Sequence, residues 1–298
     1  VKHPIKKQSF ENNRDVQRWL REQRDEHSPE GQFNPTFLAS RRDSDWILSS
    51  LAVFHQQKFI LDVISQASSG KEATVYCCVA HPDTGAEFLA AKVYRPRMFR
   101  SLRNDAIYRE SRASTDAKGR PQRRERGQRS SNSHNERGRM LQVSSWIQSE
   151  FQVQRELHAA GADVPAALSQ IGNAILMGWI GDGDSPAPRL SDVDLDPLEA
   201  PALFDQLMDN IARFLANHRI HGDLSAYNIL YWQGDITVID FAQMVDPRYN
   251  PDVYPLLERD IERVCSHFAR YGIAADPATL AADLWARYLM GDLEVPHQ

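Results

Sequence analysis

Residues 221–230 read His221-Gly222-Asp223-Leu224-Ser225-Ala226-Tyr227-Asn228-Ile229-Leu230. Asn228 follows Asp223 by five positions, and an apolar run, residues 229–232, opens directly after it. Gln233-Gly234-Asp235 is a turn signal, and residues 236–239 complete a hairpin that ends on Asp240-Phe241-Ala242. An Asp at a strand end is often only a turn former. Three polar residues at these spacings on both sides of one hairpin are hard to explain as turns, so Asp223, Asn228 and Asp240 stand out as a chemical site.

Upstream of the hairpin, residues 201–218 carry Leu203, Phe204, Leu207, Ile211, Phe214 and Leu215 at helical spacing. Residues 146–160 are helical through Ile147, Phe151 and Leu157, and Gly161 ends them. Residues 174–180 read as a buried strand, and Pro186, Pro188 and Pro197 bracket a loop. Nearer the N-terminus, Asp43 or Ser44 caps a helix bearing Trp46, Ile47, Leu48, Leu51, Val53 and Phe54. Strands are expected over 59–64, 73–79 and 88–94, with a turn at His81-Pro82-Asp83-Thr84-Gly85. The chain beyond the hairpin is helical, and no internal repeat is present. Strands first and helices later make an α+β pattern with two lobes joined near 178–184. The expected division is an extension over 1–45, a small β-rich N-lobe over 46–177 and a mainly helical C-lobe over 178–298.

The 298 residues include 35 Lys and Arg against 40 Asp and Glu, a net charge of −5, with 42% hydrophobic residues. Such a composition fits a globular chain and excludes a wholly disordered one. The charge is uneven: residues 95–139 hold 14 Lys and Arg and 5 Asp and Glu, a net of +9, leaving −14 for the rest. Residues 112–139 have almost no apolar side chains, so a flexible Arg-rich insertion is expected over about 103–140. It reads either as a solvated loop or as an electrostatic arm for nucleic acid or an acidic partner. After Tyr108 no aromatic residue interleaves the arginines, which argues against a base-stacking platform. No apolar run approaches the ~18 residues of a membrane span, and the N-terminus shows no secretory signal. Cys77, Cys78 and Cys265 form no C-x-x-C pair. The expectation is a soluble cytoplasmic protein without a membrane contact.

Asp223 to Asn228 resembles the H-R-D-x-x-x-x-N catalytic loop of kinases, in which the Asp takes the acceptor hydroxyl's proton and the Asn holds Mg²⁺. Asp240 then matches the D-F-G aspartate. Leu89-Ala90-Ala91-Lys92-Val93 reads like the strand lysine of V-A-I-K, and Glu150 is the first choice for its carboxylate partner, with Glu156 in reserve. The phosphate loop differs from G-x-G-x-x-G: Ser68-Ser69-Gly70-Lys71-Glu72-Ala73-Thr74-Val75-Tyr76 holds a single glycine. There is no A-P-E, and only about ten residues separate Asp240 from the helix near Val253, which argues against a long activation loop and a conventional peptide platform.

Together SSGKEATVY (68–76), LAAKVYR (89–95), WIQSEFQVQREL (146–157), HGDLSAYNIL (221–230) and VIDFAQ (238–243) resemble the RIO family of atypical serine protein kinases. The likeness spans roughly residues 46–270 and lacks an evident winged-helix segment, as in one subfamily and a bacterial branch. It implies a two-lobed protein-kinase-like fold, ATP and Mg²⁺ (with Mn²⁺ as an alternative), and phosphorylation of serine on a protein substrate, including autophosphorylation. By position, Asp223 matches the catalytic aspartate and Asn228 the metal ligand. Asp240 matches the metal-loop aspartate that can itself become phosphorylated. Lys92 matches the nucleotide lysine, Ser69 and Lys71 the phosphate-loop contacts, and Met177, Gly178 and Ile180 the hinge that meets adenine. Ala226 departs from the family's usual Glu, and Gly178-Trp179 and the Arg-rich insertion are unusual.

Three readings follow. The first is an ATP-dependent serine protein kinase. The second is an aminoglycoside-type small-molecule kinase, for which Glu258, Asp260 and Glu262 would form an acidic pocket, although Arg259 and Arg263 intersperse them as on a solvated helix face. The third is an ATPase switch whose Arg-rich segment engages RNA or a ribosomal partner, as the resemblance implies through family members that act in ribosome maturation. Asp260 also stands where an acid supports the catalytic loop in kinase-like folds.

Overall fold

Three consecutive strands rich in β-branched and apolar residues build an antiparallel sheet, and amphipathic patterns build the helices that follow it. The structure, a computed structural model, describes residues 33–37, 50–70, 72–95, 136–183 and 185–293, with side chains from 145 onward in the helix that begins at 136. These residues fall into two compact units, divided within the chain between Gln148 and Ser149, at Ala167–Leu168, and between Trp179 and Ile180.

The first unit is a five-stranded sheet of β1 (Ile60–Ser69), β2 (Ala73–Ala80), β3 (Phe88–Tyr94), β4 (Ala167–Ile171) and β5 (Ala174–Gly178), in the order β1-β2-β3-β5-β4. β3 is central, pairing Lys92 with Val75 on one side and with Ile175 on the other. Leu89, Ala91 and Val93 join a core with Leu51, Phe54, Ile60, Val63 and Leu176. Strand alternation turns Ala90, Lys92 and Tyr94 to the opposite face. There Tyr94 packs edge-on against Trp146 at 5.2 Å between ring centroids. Residues 50–56 are helical, as the sequence pattern requires, while Trp46 to Leu48 lie outside the described residues. Of the N-terminal extension, Phe37 donates its N–H to Val63 O at 2.8 Å.

Three features differ from the sequence expectations. β1 runs on to Ser69, because its pairing with β2 continues through Ser69 and Thr74. β4 is unanticipated; all five of its residues are half-buried, so no apolar alternation marks it. α1 (Glu136–Ala159) begins ten residues before Trp146 and takes in the end of the Arg-rich stretch. Lys71 and most of that stretch lie outside the described residues.

The second unit holds the rest of α1 with α2 (Ala200–Ala216), β6 (Ile229–Trp232), β7 (Asp235–Val238), α3 (Tyr254–Phe268) and α4 (Pro277–Met290). Its core joins Leu157, Leu207, Phe214, Ile229, Val238, Ile261 and Phe268. A polar clasp fixes the hairpin within this unit. Val238 N–H donates to Asp163 O at 2.8 Å, and the Asp163 carboxylate accepts Nδ2 of the buried Asn210 at 2.7 Å and Nε2 of Gln206 at 3.0 Å. Among the described residues no helix is long and apolar enough to cross a membrane.

Candidate active site

The loop 221–228 is fixed from three directions within the helical unit. Ile220 and Val245 exchange N–H···O bonds at 3.0 Å each, tying the loop's start to the chain beyond the hairpin. The buried His221 contacts Ile239 O through Nε2 at 3.2 Å and the N–H of Asp223 through Nδ1 at 3.4 Å. A carbonyl can only accept and an N–H can only donate, so the ring's proton sits on Nε2. Gly222 adopts φ +76°, the left-handed region that favours glycine. From α3, the carboxylate of Asp260 accepts the N–H of Gly222 at 2.7 Å and of Leu224 at 3.0 Å. The support role read for Asp260 is therefore met by two hydrogen bonds. Asp260 is buried, and burial pushes its carboxyl up to about 7 against the opposing pull of those two N–H groups and of Arg259 and Arg263.

Held this way, the loop leaves the Asp223 carboxylate exposed. Asn228 donates Nδ2 to Asp223 O at 2.9 Å, which directs its amide nitrogen inward and leaves Oδ1 as the acceptor end. Asn228 O in turn accepts the N–H of Ile239 at 2.9 Å, next to Asp240 in the chain. Asp240 is exposed with φ +68° and ψ 77°, an uncommon conformation for a residue with a side chain. One amide oxygen and one carboxylate are hard donors, too few for a closed protein cage. No group of three or more His, Cys, Asp or Glu suited to a metal occurs among the described residues. Such a sparse oxygen set fits Mg²⁺ that completes its shell with phosphate oxygens and water.

Sequence reasoning missed the arginines around the loop. Arg263, one helical turn past Arg259 on α3, donates Nη1 to Asp223 Oδ1 at 2.8 Å. Arg259 donates to Gly222 O. Alternating signs along a helix had read as a solvated face, yet both guanidinium groups meet the loop. Of the three acids read on this helix, Asp260 turns to the loop backbone, whereas Glu258 and Glu262 line a cleft with Pro255, Arg259, Pro277 and Ala278. Asp246, next to Val245, accepts Arg219 at 3.0 Å and Arg248 at 2.6 Å. Burial opposes its charge, but the Arg248 hydrogen bonds outweigh that and hold its carboxyl below the usual range.

In the sheet unit, Lys92 lies on the central strand with its Nζ 5.3 Å from the Tyr94 ring centroid. Gly70 N–H donates to Ala73 O at 2.9 Å and closes the β1–β2 turn. Arg95, also missed, binds this turn: Nη2 donates to Ser69 Oγ at 2.6 Å and to Thr74 Oγ1 at 2.7 Å. Met177 and Gly178 end β5, paired with Ala90 and Leu89. In the helical unit, Ile180 O accepts the N–H of Ala187 at 2.9 Å. There Gly181 has φ +135°, and a Cβ would stand 2.5 Å from Ser185 O, so only glycine fits. On α1, Glu150 is 4% exposed, whereas Glu156 pairs with Arg219 at 3.0 Å.

The RIO domain pattern matches residues 75–280, more than two-thirds of the sequence. The chain belongs to the RIO domain family. Its RIO-type relatives are serine/threonine-protein kinases. The Rio1 kinase of Thermoplasma acidophilum is 36% identical over 135 residues, covering 45% of this chain and 69% of that protein. The Rio1 kinase of Haloferax volcanii is 29% identical over 215 residues, covering 72% and 65%. Human RIO1 is 30% identical over 133 residues, of which only 23% of the human protein is spanned. In fold, the RIO chain is similar to the Rio2 kinase of Chaetomium thermophilum in its ADP/Mg²⁺-phosphoaspartate complex, with a TM-score of 0.58 and 17% identity over 91% of this chain and 85% of that one. The α+β, two-lobed kinase-like architecture is thereby established for this RIO protein.

Proposed function

We propose that this RIO kinase transfers the γ-phosphoryl group of ATP to serine hydroxyls of a protein, itself included, through Asp223. The observation that carries the reading is the exposed Asp223 carboxylate on a loop fixed by His221, Asp260 and Arg263, with Asn228 hydrogen-bonded to its backbone. The serine oxygen forms the new bond to the γ-phosphorus, the bond to the β–γ bridging oxygen breaks, ADP leaves with that electron pair, and the serine proton passes to Asp223. Asn228 and Asp240 would hold Mg²⁺, which when bound neutralises phosphate charge. Lys92, with the buried Glu150 as its partner, Lys71 and Ser69 hold the phosphates. Backbone groups of Met177, Gly178 and Ile180 meet the adenine. The sheet unit serves as the N-lobe and the helical unit, residues 149–167 included, as the C-lobe, and the cytoplasm is the compartment of action.

A second reading is an ATPase switch that carries a transient phosphate on Asp240. The similar Rio2 structure is a phosphoaspartate complex, and the carboxylate of Asp240 is exposed. In that reading the Arg-rich stretch engages RNA, and salt-sensitive RNA binding should be lost on deleting residues 112–139. Incubation with γ-labelled ATP and Mg²⁺, followed by hydroxylamine, separates the two. Hydroxylamine-resistant phosphoserine supports the kinase; hydroxylamine-labile label lost in Asp240→Ala supports the switch. Absence of both labels and of ATP turnover overturns both.

A further inference from the structure

We infer that Arg263 is a positioning residue for phosphoryl transfer: its guanidinium holds one oxygen of Asp223 so that the other faces the acceptor hydroxyl. The inference rests on the assignment of Asp223 above and deepens it.

The geometry is local to the helical unit. Asp223 Oδ1 accepts Nη1 of Arg263 at 2.8 Å, while the residue's own N–H donates to His221 Nδ1 at 3.4 Å and its carbonyl accepts Asn228 Nδ2 at 2.9 Å. Backbone and carboxylate are thus each restrained, and the carboxylate restraint comes from Arg263. Asp260 and Arg259, on the same stretch of α3, bind the loop backbone at Gly222 and Leu224. α3 therefore sets both the position of the loop and the direction of its acid.

Burial argues for function over stability. The two side chains are 40% and 52% exposed, and ion pairs that open to water add little to folding. An arginine placed there for stability would be a poor choice. One placed to fix a carboxylate suits its rigid, planar donor set. Oδ1 is then committed to Arg263, so Oδ2 takes the serine proton. Freed of Arg263, the carboxylate rotates about its side-chain torsions and presents its oxygen in the transfer geometry less often.

The test compares wild type, Arg263→Ala, Arg263→Lys and Asp223→Ala as full chains. γ-Labelled ATP with Mg²⁺ is the donor, myelin basic protein the acceptor, and a fluorescent ATP analogue reports nucleotide affinity. Arg263→Ala should lower kcat roughly tenfold to a hundredfold, with the KM for ATP and the analogue's affinity held within about twofold. Arg263→Lys, which keeps a cationic donor, should recover much of the loss. A kcat at or above wild type in Arg263→Ala would overturn the inference, since the ion pair would then be a resting contact that transfer must break. Loss of nucleotide affinity in step with kcat, unrestored by lysine, would also overturn it, because Arg263 would then only maintain the loop. Wild-type transfer by Asp223→Ala would instead remove the catalytic assignment on which the inference stands.

Discussion

The carboxylate of Asp260 on α3 accepts the N–H of Gly222 at 2.7 Å and so fixes the residue immediately before Asp223, the proposed catalytic base. The carboxyl is buried, and burial raises it to about 7 from the model-compound 3.8. The folded protein therefore binds more protons than the unfolded chain between those values, and this group's contribution to stability falls as pH rises through that window. Above pH 7 the contribution levels off. Asp260→Asn removes the titration and leaves one backbone N–H facing an amide nitrogen. The stability gap between wild type and Asp260→Asn, read from urea unfolding, should narrow steadily as pH is raised through the window between those two values and level off above about 7. A gap independent of pH would contradict the account.

Gly222 predicts a backbone effect at the same place. At φ +76° a side chain is strained, and Gly222→Ala should cost about 1 kcal/mol of stability or more. The strain falls beside Asp223, so transfer should drop further than the stability loss explains. Gly234→Ala is the matched control: φ is +90° in the exposed hairpin turn, with nothing within 4 Å of the added Cβ. Thermal melts and labelled-phosphate transfer on both variants check this. Equal transfer losses in the two would contradict it.

What the sequence made legible was local pattern. Asp223, Asn228 and Asp240 announce themselves through spacing around a hairpin, and Lys92 through its apolar strand. β1, β2, β3 and β5 follow from apolar and β-branched runs between turn signals, and the helix around 201–216 from helical periodicity. Contacts between distant positions were not legible. Arg263 meets Asp223 across 40 residues, and Asn210 meets Asp163 across 47. Nothing in a pattern of alternating charges distinguishes an arginine in water from one bound to the loop 221–228. β4 escaped because half-buried residues carry no apolar rhythm. The left-handed conformation of Asp240 also had no signal, since aspartate tolerates it without glycine's help.

Arg95 supplies a prediction in the sheet unit. Its guanidinium ties Ser69 to Thr74 across the β1–β2 turn. Arg95→Ala should loosen the phosphate loop and raise the KM for ATP about threefold to tenfold, with little change in the melting temperature. Arg95→Lys should restore part of the affinity. An unchanged KM would show that the turn holds its shape without this residue.

The most direct test of the central claim is the response of nucleotide binding and phosphoryl transfer to Asp223→Ala, measured on one preparation. Equilibrium titration gives the affinity for ATP with Mg²⁺, and a single turnover with γ-labelled ATP gives the rate of transfer to serine. The account predicts affinity within about twofold of wild type and transfer slowed at least about a hundredfold, because Asp223 accepts the proton of the attacking hydroxyl. Transfer at the wild-type rate would contradict it.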